Sequence, residues 1–258
     1  MSSEPGVRVE RIEDGRIARL TLDAGKGNVI STRVVEALRD TFVALGAEAR
    51  VRSVLLTHGG NDFSFGASVP EHAPGEVEKM LPTFHGLFRA IAAASLPVVA
   101  AVRGRCLGGG FEVAIVAQHL VVAEDAMLGV PEVTLGVFPP IAAALLPLRV
   151  PQPVVDRLVT LGDTLTGVQA VQLGVADEAV IAEQVEARAL EAAKRWTKLS
   201  GVAVRHATRA ARAAWNEALG ARLERLEAQY LRELMATRDA REGIAAFMER
   251  RKPVWEDR

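Results

Sequence analysis

The sequence has little excess charge, little cysteine and no long apolar run, and each shortage excludes something. Lys and Arg number 31 against 32 Asp and Glu, a formal net charge of −1. That balance provides no general attraction to nucleic acid or to an anionic membrane. A single cysteine, Cys106, forbids an internal disulfide and suits a reducing compartment. The histidines, His72 and His85 among them, show no metal-ligand spacing, so no metal is expected. The apolar runs at 92–102 and 137–150 are too short, and too broken by proline, to span a bilayer. Residues 1–10 are polar and lack the apolar centre of a secretory signal. The expectation is a cytoplasmic protein without membrane or nucleic-acid partners.

What is present is apolar bulk. Of 258 residues, 49% are hydrophobic, with 22 Gly and 12 Pro. That is enough for one sizeable core, either as one domain with a small appendage or as two small domains. Residues 7–12 and 17–22 alternate or run apolar around Glu13-Asp14-Gly15, which predicts a hairpin. Ser31 precedes a helical pattern to about residue 49, with Val34, Val35, Leu38, Phe42 and Leu45 on one face. Buried strands are expected at 51–57, 96–102 and 120–123. A helix is expected at 77–94, with Pro82 as a kink or a delayed start. Strands alternating with helices predict an α/β fold with parallel pairing. Beyond Gly162 the chain turns helical, with amphipathic stretches at 169–174, 182–199, 202–218, 221–236 and 239–251.

The most informative segment is Gly108-Gly109-Gly110-Phe111-Glu112, followed twenty residues later by Pro131-Glu132. Three glycines let backbone approach backbone closely. The apolar residues after them predict a helix, whose N-terminus would present unpaired N–H groups and a positive dipole end. Such a place stabilises negative charge, bound or developing. Glu112 and Glu132 add two carboxylates able to act as acid and base. Taken alone, the glycines fit a tight turn into a buried helix, with two solvated glutamates, better than a site; the pair of glutamates and the flanking segments shift that balance.

Five segments in order resemble the crotonase (enoyl-CoA hydratase/isomerase) superfamily over nearly the whole chain. They are 62–68 (Asp-Phe-Ser-Phe-Gly-Ala-Ser), 97–112 ending in the glycine triplet and Glu112, 129–136 around Glu132, 165–176, and the C-terminal 241–253. The resemblance implies an α/β, crotonase-like spiral of repeated ββα units with a helical C-terminal trimerisation region. The boundaries follow as 1–198 for the spiral core and 199–258 for the helical region. It also implies acyl-CoA thioester substrates, no cofactor beyond the coenzyme A moiety of the substrate, and a homotrimer or dimer of trimers.

Carried over residue by residue, the resemblance makes the backbone N–H groups of Ala67 and Gly109 an oxyanion hole for the thioester carbonyl. Glu112 and Glu132 match the paired carboxylates of the family's hydratases. Phe65 and Val69 would border the adenine. Phe247 and Arg250, on the last helix, match positions that contact the coenzyme, often across a subunit boundary. Two departures stand out. Ser68 occupies a position where the family commonly has aspartate. Val137-Phe138-Pro139-Pro140-Ile141 replaces a glycine-rich stretch whose first N–H helps hold the attacking water, and Pro140 has none. With 63–72, this stretch most resembles the cyclohexa-1,5-diene-1-carbonyl-CoA hydratases. Val137, Phe138, Pro140 and Ile141 would then form an apolar pocket for a flat ring. The implied activity is hydration of an unsaturated, cyclic dienoyl-CoA. The alternatives are a double-bond isomerase, which needs only one carboxylate, and a non-catalytic acyl-CoA or RNA-binding homologue, against which the charge balance and the two glutamates argue.

Overall fold

The computed structural model describes residues 3–4 and 6–258. The chain begins with β1 (Ser3–Glu4), β2 (Val7–Ile12) and β3 (Ile17–Leu22). β2 and β3 form the expected antiparallel hairpin, with Ile12 opposite Ile17. Its turn places Glu13, Asp14 and Gly15 all at positive φ, which the Asp-Gly pair tolerates.

α1 (Thr32–Ala47) follows. Ser31 stands at its cap position, but its side chain makes no cap hydrogen bond. The acceptor comes from a distant loop: Thr32 N donates to Glu71 Oε2 at 2.8 Å, and Thr32 Oγ1 at 2.7 Å. A carboxylate there also complements the helix dipole. β4 (Ser53–His58) then pairs parallel with β3. α2 (Val77–Ala94) continues across Pro82 without a break or a delayed start and packs on α1. β5 (Val98–Val102), β6 (Arg105–Leu107), α3 (Gly109–Ile115) and β7 (His119–Ala123) come next. β4 and β5 are buried at every residue, as strands covered on both faces must be.

β8 (Met127–Gly129), α4 (Pro140–Leu145), α5 (Gln152–Leu161), β9 (Thr164–Thr166), α6 (Gly167–Gln172) and β10 (Glu178–Val180) complete the sheets. One sheet has seven strands in the order β1-β2-β3-β4-β5-β7-β10, parallel from β3 onward. A second, three-stranded sheet, β6-β8-β9, stands beside it. α6 starts with a full capping box between Thr166 and Gln169.

The rest is helical: α7 (Val185–Thr197), α8 (Gly201–Ala211), α9 (Ala213–Glu217), α10 (Leu223–Arg232) and α11 (Arg238–Glu249). A π-turn at Ala218–Arg222, with Gly220 out of helical geometry, redirects the chain into α10. α10 packs against α2 and α4, and α11 lies against the turns Val69–His72 and Pro131–Leu135. The C-terminal helices thus lie against α2, α4 and two turns of their own chain. Short ties hold them: His85 Nδ1 meets Glu227 Oε2 at 2.5 Å, and Arg222 Nη2 donates to Ala143 O at 3.1 Å. Among the described residues no helix is long and apolar enough to cross a membrane.

Candidate active site

The loop Phe63–Ala67 is zipped along β6. Ser64 N donates to Arg105 O, and Leu107 N to Ser64 O, both at 3.0 Å. This brings the start of α3 hard against the loop. A Cβ on Gly110 would stand 2.5 Å from Ser64 Cβ, so only glycine fits. Gly108 is constrained twice: its φ is +52, and a Cβ there would stand 2.7 Å from Glu132 Oε1. The glycine triplet is therefore the means by which three segments, around Ser64, Gly109 and Glu132, meet.

Two backbone amides are left over at that meeting point. Ile30 N donates to Gly66 O at 2.9 Å and Ser68 N to Ile30 O at 3.2 Å, fastening the chain on both sides of Ala67. Neither the Ala67 N–H nor that of Gly109, the first residue of α3, has an acceptor among the described residues. They are neighbours, since a Cβ on Gly109 would stand 3.1 Å from Ala67 N. Unpaired amides held in a rigid frame can stabilise an oxyanion without rearranging.

Glu112 and Glu132 line the same cavity of about 320 Å³, with Ala67, Gly109, Phe138 and Pro140. Glu112, on α3, is 3% exposed. Ala142 N, in the first turn of α4, donates to Glu112 Oε1 at 2.8 Å. Burial raises the Glu112 carboxyl to about 7, against the opposing pull of the Ala142 and Ile141 N–H groups. Glu132, on the Pro131–Leu135 turn, has an Oε2 that is shut off from solvent and unpartnered among the described residues. Burial, and then the charge of Glu112, push its carboxyl well above the ordinary range. One carboxyl held by backbone donors and one kept protonated make an acid–base pair.

A second cavity, of about 380 Å³, shares Ala67, His72 and Glu132 with the first. Phe65, Val69 and Val137 line it. The Arg105 guanidinium lies 4.0 Å over the Phe65 ring and is pinned by Asp62. Pro140 and Phe138 face the glutamates, whereas Ile141 is fully buried and lines neither cavity. Phe247 and Arg250 sit exposed on and just after α11 and line neither. Ser68 contributes its carbonyl, which accepts the Nδ1–H of His72 at 2.9 Å.

Sequence reasoning missed several residues of the glutamate cavity: His72, Met80, Leu81, Phe84, Pro139 and Tyr230. Met80, Leu81 and Phe84 carry the signal of any core helix face. His72 is held neutral by burial, with Nδ1 committed to Ser68 and Nε2 left as an acceptor. Tyr230 falls on the apolar stripe of α10 with Leu223 and Leu226, which in sequence marks only a buried position. Among the described residues no group of His, Cys, Asp and Glu is arranged to hold a metal ion.

Residues 13–258 match the family model described as enoyl-CoA hydratase/isomerase. The chain is 42% identical over 262 residues to cyclohexa-1,5-dienecarbonyl-CoA hydratase of Thauera aromatica, covering 100% of this chain and 98% of the relative. It is 32% identical to a probable enoyl-CoA hydratase of Bacillus subtilis (strain 168), covering 93% and 95%. The crystal structure of carnitinyl-CoA hydratase from Mycobacterium avium superposes with a TM-score of 0.85 at 29% identity, over 99% of this chain and 100% of that one. The chain belongs to the enoyl-CoA hydratase/isomerase family.

Proposed function

We propose that this enzyme, a hydro-lyase, adds water to a cyclic dienoyl-CoA thioester. The observation that carries this reading is the shared cavity: two buried carboxyls, both pushed above the ordinary range, line the same space as two unpaired backbone amides. The 42% identity to a cyclohexadienecarbonyl-CoA hydratase supports the ring substrate.

In this mechanism the thioester carbonyl oxygen rests on the N–H groups of Ala67 and Gly109. Glu112, ionised and oriented by Ala142, takes a proton from water as the water oxygen adds to a ring alkene carbon. Electron density moves through the conjugated system onto the carbonyl oxygen, where the amides receive it. Glu132 then gives its proton to the carbon at the other end of the conjugated system. One water has been added, and the proton on Glu112 returns to Glu132 before the next turnover. Phe138 and Pro140 supply an apolar wall for the ring. The neighbouring cavity, with Phe65, Val69 and Val137, takes the coenzyme arm.

The test is liquid chromatography with mass spectrometry of cyclohexa-1,5-diene-1-carbonyl-CoA after incubation with the purified protein, the retention time separating double-bond isomers of equal mass. Hydration yields a product one water heavier. A product of unchanged mass with a moved double bond would mean an isomerase, and an unaltered substrate a binding protein.

A further inference from the structure

Tyr230 is the chain's only tyrosine. It is 1% exposed, and its hydroxyl has no hydrogen-bond partner among the described residues. A buried hydroxyl without a partner is destabilising. Phe138 leans on the ring at 5.3 Å, so a phenylalanine would fill the space equally well without that penalty. The oxygen therefore needs a reason, and its surroundings supply one. Tyr230 lines the cavity of Glu112 and Glu132, and the partnerless Oε2 of Glu132 belongs to that same cavity. The wall opposite in function, the start of α4, lacks a donor at Pro140. Its next N–H groups, on Ile141 and Ala142, are committed to Glu112.

We propose that the Tyr230 hydroxyl donates the hydrogen bond that holds the attacking water, and afterwards the product hydroxyl, in place of the amide that Pro140 lacks. The inference rests on the hydration reading above and names the residue that selects which carbon is hydrated. A water held from α10 lies elsewhere relative to the thioester than one held from the first turn of α4. α10 is rigid enough for this: His85 grips Glu227, one turn before Tyr230, and Arg222 grips Ala143 on α4.

The test uses Tyr230→Phe and a native-protein spectrum. The variant should melt at or above the native temperature. Its kcat for hydration should fall at least about tenfold with KM within about twofold. Its affinity for the hydroxylated product should fall about tenfold, while its affinity for cyclohex-1-ene-1-carbonyl-CoA, which lacks the hydroxyl, stays unchanged. Because there is one tyrosine, 13Cζ-tyrosine labelling gives one resonance in the native enzyme. It should move with the hydroxylated product and stay put with the deoxy compound. An unchanged kcat, an equal loss for both ligands, or an equal shift with both overturns the proposal. Should the variant fail to fold, the native spectrum decides alone. Should the native enzyme hydrate crotonyl-CoA and no ring substrate, the ring reading falls, and 3-hydroxybutyryl-CoA against butyryl-CoA makes the same test of Tyr230.

Discussion

Glu112 Oε1 accepts the N–H of Ala142 at 2.8 Å, and in doing so it caps the N-terminus of α4, whose own cap residue, Pro139, offers no side-chain acceptor. One carboxylate thus has a structural and a chemical duty. Glu112→Gln keeps an acceptor for Ala142 and removes the base. Glu112→Ala removes both. We expect both variants to lose at least about 10²-fold in kcat, and only the alanine variant to lose a further ~1 kcal/mol of stability, on the order of a lost cap. Coenzyme A affinity should hold in both. Turnover close to native in Glu112→Gln would remove Glu112 from the mechanism.

The raised carboxyls make stability and activity oppose each other. The folded-state value of Glu112 is about 7, above its ordinary 4.5. The folded protein therefore keeps a proton that the unfolded chain has released, and stability falls as pH rises from 4.5 through 7. That difference corresponds to roughly 3 kcal/mol at high pH. Glu132, shifted in the same direction, adds to it. Glu112→Gln and Glu132→Gln should each melt above the native enzyme at pH 8, with the gap closing toward pH 5. In the native enzyme kcat/KM should rise through about pH 7 as Glu112 ionises, and fall again when Glu132 loses its proton. A native enzyme more stable at pH 8 than both variants would contradict the desolvation behind these shifts.

Gly108 separates backbone strain from site disruption. Gly108→Ala forces a side chain onto a φ of +52 and against Glu132, whereas Gly25→Ala meets comparable strain at a φ of +81 with nothing nearby. Each should lose about 1–2 kcal/mol of stability. Only Gly108→Ala should also lose turnover, by more than about tenfold. Equal kinetics in the two would mean that the contact with Glu132 is unimportant.

Much of the fold could be read from local pattern. The hairpin at Glu13-Asp14-Gly15, α2, and the fully buried strands β4 and β5 have strong signals of turn chemistry or period. The second sheet could not be seen, because β6, β8 and β9 have three residues each, too few for a period to emerge. α4 and α5 were hidden in the proline-broken apolar run and just after it. Of the site, the residues on motif loops were legible: Ala67, Gly109, Glu112 and Glu132 converge. What was lost came through long-range packing. Ala142 reaches Glu112 through a helix too short to predict, and Tyr230 reaches the cavity from α10 through tertiary contacts that no spacing encodes.

Assembly can be tested separately. Leu199, Val202, Phe247, Met248, Val254 and Trp255 are apolar and exposed in the C-terminal third. Where such groups adjoin in space, they mark a contact surface. We expect a trimer or a dimer of trimers by light scattering at micromolar concentration. A monomer would remove the assembly from the account.

The central claim is that this cavity hydrates a ring. Pro140 has no N–H where the resemblance implies an amide that supports water for ordinary enoyl hydration, and with Phe138 it gives the cavity an apolar lining on which we base the ring proposal. The most direct measurement is kcat/KM for cyclohexa-1,5-diene-1-carbonyl-CoA and for crotonyl-CoA under one set of conditions. The account predicts faster hydration of the cyclic dienoyl-CoA. A preference for crotonyl-CoA of about tenfold or more, roughly 1.4 kcal/mol of transition-state discrimination, would contradict it.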